Sequence, residues 1–309
     1  MKHFVHLKDI PAKDLRKIII DAKRRKKLRS KISTLEVDKG APLKGKMLIQ
    51  MFEKASSRTR ISFYMAIKQL GGGTLTLRSN EIHLGQGGES IEDTAKILST
   101  YGDGFMIRTD SDDKVEKFKN FLSIPVINGL SPSSHPTQVL SDVFTVEEIK
   151  NKPISKLNIC WIGDSNNVLN SLIAASAKFS FNLSIGCPKN YEPRQELRKY
   201  IKKNNKRIFI FNDAKKAVKN ADVIFSDKVI SLNDKVNKKK KVNQFKNFKI
   251  DKKLIKHAKK DCIFLHCLPR GPEVSDEVFL GKQSYVWQQA LNRVHVQKSI
   301  LMYCFNKLR

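Results

Sequence analysis

Acidic residues are scarce in this chain: 30 Asp and Glu stand against 59 Lys and Arg, a formal net charge of +29 over 309 residues. Glycine (15) and proline (10) are too few for a collagen-like or low-complexity chain. Cysteine is sparse as well. Its five copies (Cys160, Cys187, Cys262, Cys267 and Cys304) are odd in number and form no C-x-x-C, which excludes a disulfide scaffold and fits a reducing compartment. No apolar run approaches the ~18 residues needed to cross a bilayer. The opening MKHFVHLKDIPAKDL alternates charge with apolar residues and has no secretory h-region, so a cytoplasmic location is expected.

What is present is globular: 40% hydrophobic and 29% charged residues, at a length that suggests two domains of ~150 residues each. The basic excess admits two readings. One is a nucleic-acid-binding protein, the class for which a basic surface is the electrostatic footprint. The other is a Lys-rich solvated surface that attracts small anions. The densest runs, Lys23–Lys27 and Lys238–Lys241, carry neither interleaved aromatics nor zinc-ligand spacing, which favours the second reading. No nucleic-acid or membrane partner is expected.

Strand-like apolar runs alternate with helical patterns along the chain. The expected strands are Met47–Phe52, Gly73–Leu77, Phe105–Ile107, Pro125–Ile127, Leu157–Ile162, Leu183–Ile185, Ile208–Phe211, Val223–Phe225 and Cys262–Leu265. Alternation of this kind is the mark of parallel sheets built from βαβ units. The expected fold class is therefore α/β, with two open parallel-sheet (doubly wound) domains and a cleft between them. Residues 1–145 form the first domain, residues 146–284 the second, and residues 285–309 a C-terminal helix that packs back on the first. Segment Ile230–Ile250, Lys/Asn-rich and without a period, reads as a long mobile loop and a candidate lid. The string Gly40-Ala-Pro-Leu-Lys-Gly45-Lys46 is no P-loop, since Met47 replaces the Ser/Thr and a strand follows rather than precedes it.

Polar residues gather where strands end. Ser56-Ser57-Arg58-Thr59-Arg60 lies between a strand and a helical pattern, where free backbone N–H groups and two guanidiniums suit an anion. Arg108 follows another strand, and His135 and Gln138 open a helix after the next. In the second half, Gly163-Asp164-Ser165-Asn166-Asn167, Asp227 and His266-Cys267 occupy equivalent positions. Asp227, His266 and Cys267 lack paired ligand spacing, and neighbours in an extended strand face opposite ways, so no metal is expected.

Six strings in order carry a more specific message: F-E-K-A-S-S-R-T-R at 52–60, H-L-G-Q-G-G-E-S-I-E-D-T-A at 83–95, H-P-T-Q-V-L-S-D at 135–142, G-D-S-N-N-V at 163–168, H-C-L-P at 266–269 and N-R-V-H-V-Q-K at 292–298. Together they resemble the aspartate/ornithine carbamoyltransferase family over nearly the whole chain. H-C-L-P points to its ornithine branch, because aspartate members carry Pro where Cys267 stands. The resemblance implies transfer of a carbamoyl group from carbamoyl phosphate to L-ornithine, giving L-citrulline and phosphate in arginine biosynthesis, with no cofactor. It implies that Ser56, Ser57, Arg58 and Thr59 hold the phosphate, while Arg108, His135, Gln138 and Arg293 bind and polarise the carbamoyl group. His83 would reach a neighbouring subunit's site, making the active unit a homotrimer or a multiple of trimers. Asn167, Asp227, Ser231 and Leu232 would orient ornithine, with Cys267 and Leu268 beside its side-chain amine. The catalytic set implied is Cys267, Arg108, His135 and Asp227. The family's D-x-W-x-S-M-G reads here Asp227-Lys228-Val229-Ile230-Ser231-Leu232-Asn233, which leaves putrescine and N-acetylornithine open as alternative acceptors.

Overall fold

The structure, a computed structural model, describes residues 1–78, 88–204, 207–230 and 237–308. They divide into two compact units, one formed by Met1–Phe144 with Leu291–Arg309 and the other by Thr145–Ala290. Both boundaries fall inside helices, Pro136–Lys150 and Val286–Cys304.

Unit 1 holds strands β1 (Met47–Phe52), β2 (Gly73–Arg78), β3 (Gly104–Arg108) and β4 (Val126–Leu130), all parallel in the order β2-β1-β3-β4. The run Met-Leu-Ile-Gln-Met-Phe of β1 is buried almost throughout, as a central strand covered on both faces must be. Its one polar member, Gln50, donates from Nε2 to Thr74 Oγ1 at 2.9 Å. Serines set the helix starts: Ser56, Ser90 and Ser111 each accept a backbone N–H of the first turn, satisfying a donor that the helix leaves open. The C-terminal helix is fixed to the N-terminal helix Ala12–Leu28 by polar contacts. Ser299 donates to Asp21 at 2.7 Å, and the fully buried Lys298 meets Asp38, near that helix's end, at 2.6 Å.

Unit 2 holds β5 (Asn158–Ile162), β6 (Asn182–Gly186), β7 (Ile208–Phe211), β8 (Val223–Ser226) and β9 (Ile263–His266), parallel in the order β7-β6-β5-β8-β9. All nine expected strands are present, within a residue or two at their ends except for β4, which runs three residues further.

In both sheets the chain first builds outward on one side of a central strand, then returns to build on the other. The reversals lie between β1 and β3 and between β5 and β8. Ligands of open α/β sheets bind at the carboxyl ends of strands beside such a reversal, where the connections splay apart.

The expected long loop at 230–250 needs correction. Lys238–Gln244 is helical, Lys246–Phe248 forms a 3₁₀ turn, and Ile250 pairs with Val274. Asn237 starts the helix by accepting the Lys240 N–H at 3.2 Å, and Lys241, Phe245 and Phe248 are buried. The lysine-rich composition hid the inward positions, since Lys241 is buried through an ion pair rather than as an apolar side chain. Residues 231–236 lie outside the described residues, and 238–248 form a helix and a 3₁₀ turn rather than an aperiodic loop.

Candidate active site

In unit 1 the exit from β1 is bound to the exit from β3. Glu53 N–H donates to the Arg108 carbonyl at 3.0 Å, while the Glu53 carboxylate accepts from the Thr109 hydroxyl and pairs with Lys114 at 2.6 Å. The turn therefore enters helix Ser57–Gln69 from a fixed position. Ser56 caps it, its Oγ accepting the Thr59 N–H at 3.3 Å and keeping its own O–H to donate. Ser57 is exposed and Arg58 half-buried at the first turn, where the helix dipole favours an anion.

Thr59 is fully buried, and its Oγ1 is a meeting point for two guanidiniums. Arg293 donates to it from Nη2 at 2.8 Å across 234 residues of sequence, and Arg108 from Nη1 at 3.3 Å. Arg108 is the last residue of β3, rather than one beyond it, paired with Phe52 of β1 across the reversal. His135 is buried at the start of helix Pro136–Lys150. Burial and the charges of Arg293, Arg108 and Arg58 all hold its pKa well below 6.5, so the ring is neutral at physiological pH. Gln138, one turn further, is buried and donates from Nε2 to Asp142 at 2.8 Å. Unit 1 thus brings Arg58, Thr59, Arg108, His135 and Arg293 into one cationic cluster, with Gln138 on the same helix as His135. His83 lies outside the described residues.

In unit 2, Gly163 leaves β5 with φ +153°, a backbone that other L-residues rarely adopt. Asn166 Oδ1 then caps helix Asn167–Phe179 by accepting the N–H groups of Val168 and Leu169 at 3.0 and 3.1 Å, and its Nδ2 donates to Asp227 at 2.9 Å. The contact to Asp227 is made by Asn166; Asn167 is the half-buried first residue of the helix. Burial raises the Asp227 pKa, opposed by His266 and the Lys228 N–H and reinforced by Glu273.

His266 is the last residue of β9 rather than the start of a loop. Its Nδ1 accepts the Leu268 N–H at 2.9 Å, which leaves Nε2 to donate to Glu273 Oε1 at 3.1 Å. Leu268 has φ +58°, so this hydrogen bond holds a backbone that a leucine otherwise avoids. Burial works against ionisation of Glu273, yet hydrogen bonds from His266 and the Gly271 N–H outweigh it and lower its pKa. Glu273 also accepts the Val229 N–H at 3.3 Å, so one carboxylate ties the strand-end segments carrying Asp227 and Cys267. Cys267 is buried, and its N–H donates to the Ser226 carbonyl next to Asp227. Ser231 and Leu232 lie outside the described residues.

A second tie holds the far side of the segment after Asp227. Lys241, 4% exposed, pairs with Asp164 at 2.6 Å and lies over the Tyr191 ring, while the Tyr191 hydroxyl donates to Gln244 at 2.6 Å. The turn Gly163–Asn167 therefore grips the chain both before and after residues 231–236, through Asn166 and Asp164. The residues by themselves assigned no role to Glu53, Asn166, Glu273 or the Asp164–Lys241 pair, although Asp164 and Asn166 lie in a strand-end turn already singled out. Glu53 and Asn166 stand within quoted strings, whereas Glu273 and Lys241 carry no local signal.

Residues 2–148 match the family described as "Aspartate/ornithine carbamoyltransferase, carbamoyl-P binding domain" and residues 155–304 its "Asp/Orn binding domain". The chain is 41% identical over 305 residues to an ornithine carbamoyltransferase of Agrobacterium fabrum, covering 98% of this chain and 97% of that one, and 42% identical over 305 residues to one of Rhizobium meliloti, covering 98% of each. Among solved structures it resembles ornithine carbamoyltransferase from Pyrococcus furiosus (TM-score 0.92, 37% identity, 100% of this chain and 98% of that one). It also resembles the anabolic enzyme of Campylobacter jejuni (TM-score 0.88, 36% identity, 99% of this chain and all of that one). Among the described residues no helix is long and apolar enough to cross a membrane.

Proposed function

This chain belongs to the aspartate/ornithine carbamoyltransferase family, and from that premise we propose that it transfers the carbamoyl group of carbamoyl phosphate to the side-chain amine of L-ornithine, releasing L-citrulline and phosphate. The observation that carries the reading is the cluster of Arg58, Arg108 and Arg293 around a neutral His135, set beside the serine-capped helix start.

The phosphate sits at the first turn of helix Ser57–Gln69, where N–H groups, the Ser56 and Ser57 hydroxyls and Arg58 bind its oxygens. Thr59 reaches this site through the guanidiniums it holds. Attack by the amine makes a tetrahedral intermediate with negative charge on the former carbonyl oxygen. Arg58, Arg108 and one N–H of neutral His135 stabilise that charge, and they do so from fixed positions. Arg293 braces the same corner and Gln138 binds the carbamoyl amide.

Unit 2 handles the amine, which in water titrates near that of lysine, ~10.4, and must lose a proton to attack. Asp227, held by Asn166, orients it, and Cys267 lies alongside; the raised pKa of Asp227 makes that carboxylate the better proton acceptor. Asn167 and Leu268 complete this site, with Ser231 and Leu232 contacting the amino-acid end of ornithine. His83 enters the phosphate site of a neighbouring subunit, so the working enzyme is a homotrimer in the cytoplasm, and it serves arginine biosynthesis.

Ornithine is favoured over putrescine and N-acetylornithine by the identity of the relatives and by the retained Asp227 and H-C-L-P. Citrulline formation by the purified protein, run against a panel of amines with carbamoyl phosphate, tests this. Turnover several-fold faster with ornithine is expected, and a preference for another amine overturns it. Gel filtration with light scattering tests the trimer.

A further inference from the structure

We propose that Asp142 is a positioning residue that fixes which way round the Gln138 side-chain amide stands, and through it makes the unit 1 site select an acyl phosphate bearing an NH2 group. The inference rests on carbamoyl phosphate being the substrate and goes on to say what enforces that choice.

Gln138 and Asp142 lie one turn apart on helix Pro136–Lys150, 2% and 1% exposed. The contact between them is 2.8 Å. An amide presents two unlike ends, and a carboxylate only accepts hydrogen bonds, so the end facing Asp142 is the NH2; the reverse would set two oxygens against each other. With Nε2 committed, Oε1 has one direction left. It is enclosed, and no donor meets it among the described residues. Buried carbonyl oxygens of folded proteins are nearly always paired, so an enclosed one without a partner asks for a ligand donor.

The neighbours define that ligand. Arg58, Arg108 and Arg293, the cations that depress His135, bring donors for oxygen. Gln138 Oε1, three residues along the helix from His135, contributes an acceptor. A carbamoyl group offers an oxygen to the first and an NH2 to the second, whereas an acetyl group of nearly the same shape offers a methyl. Inorganic phosphate, bound at the helix start, needs neither. Sites built to bind an N–H reject the analogue without it because their own polar group is then left unpaired. In this arrangement Asp142 touches no substrate; it acts by denying Gln138 its other orientation.

The test compares three ligands on the wild type, Asp142→Asn, Gln138→Met and the double variant: the KM of carbamoyl phosphate and the inhibition constants of acetyl phosphate and inorganic phosphate. Asparagine can turn either end toward Gln138 and so releases the constraint. In Asp142→Asn the ratio of the acetyl phosphate inhibition constant to the carbamoyl phosphate KM is expected to fall about tenfold, the worth of one hydrogen bond. The inorganic phosphate constant stays within a factor of two. The double variant discriminates no worse than Gln138→Met, since Asp142 acts through Gln138. An unchanged ratio in Asp142→Asn, additive losses in the double variant, or parallel loss of inorganic phosphate binding each overturn the role. Absence of citrulline formation by the wild type would instead strike the substrate assignment itself.

Discussion

The reversal of strand order in unit 1 collects guanidinium groups, while the same reversal in unit 2 collects carboxylates and amides. At the first, burial together with the charges of Arg293, Arg108 and Arg58 lowers the pKa of His135. At the second, Asn166 holds Asp227, and His266 donates to Glu273. Topology supplies an edge with open backbone groups in both units, and the side chains decide which charge it accepts. The two also differ in how they are braced. Unit 1 relies on Thr59 beneath two arginines, a contact within the cationic cluster itself. Unit 2 relies on pairs set back from Asp227, Glu273 behind one segment and Asp164–Lys241 behind another.

That contrast can be broken by experiment. The largest effect is expected in unit 1: Arg108→Ala or Arg58→Ala removes a donor from the developing oxyanion and lowers kcat about 10²–10³-fold. Steady-state citrulline assays decide it, and near-normal kcat in either variant would remove that arginine from the oxyanion site. A smaller effect belongs to the bracing of unit 2. Lys241→Met strands Asp164, 21% exposed, and should lower the unfolding free energy by about 3 kcal/mol, the bottom of the range for breaking a buried pair. The KM of ornithine should rise while that of carbamoyl phosphate holds, and Lys241→Arg should restore both; equal change in the two KM values would show that the pair does not serve the amine side. The smallest effect is a pH dependence. Because the folded His135 pKa lies below the unfolded value of 6.5, the unfolded chain binds more protons in that window, and stability present above pH 6.5 is lost as the pH falls below it. Urea titrations should show this slope, at most about 1.4 kcal/mol per pH unit, flattened in His135→Gln. An identical slope in the variant would mean that other groups account for it.

Much of this molecule is legible from its residues, and the misreadings have a common cause. Arg108 and His266 read as loop residues because they are polar at the end of apolar runs, yet their backbones still pair, with Phe52 and with Ser226. Residues 238–248 read as loop because a lysine occupies an inward position. Asn166 and Asn167 are neighbours of identical type, and only the cap geometry shows that the first turns its amide to Asp227. Glu273 reads as one acid among 30, and its role depends on His266 at the end of β9 and on the segment Asp227–Val229, brought to it by the fold.

The amino-acid order alone determined where the nine strands begin, because apolar runs buried on both faces are a property of a few consecutive residues. It also determined which strand-end turns carry ionisable groups. The sheet orders β2-β1-β3-β4 and β7-β6-β5-β8-β9 were decided by tertiary structure, and with them the neighbours of every such group. Arg293 meets Thr59 across 234 residues, and the His135 pKa is pushed down, only because packing excludes water and sets those cations close by. Charge and desolvation act through space, so they are settled where the chain folds back on itself.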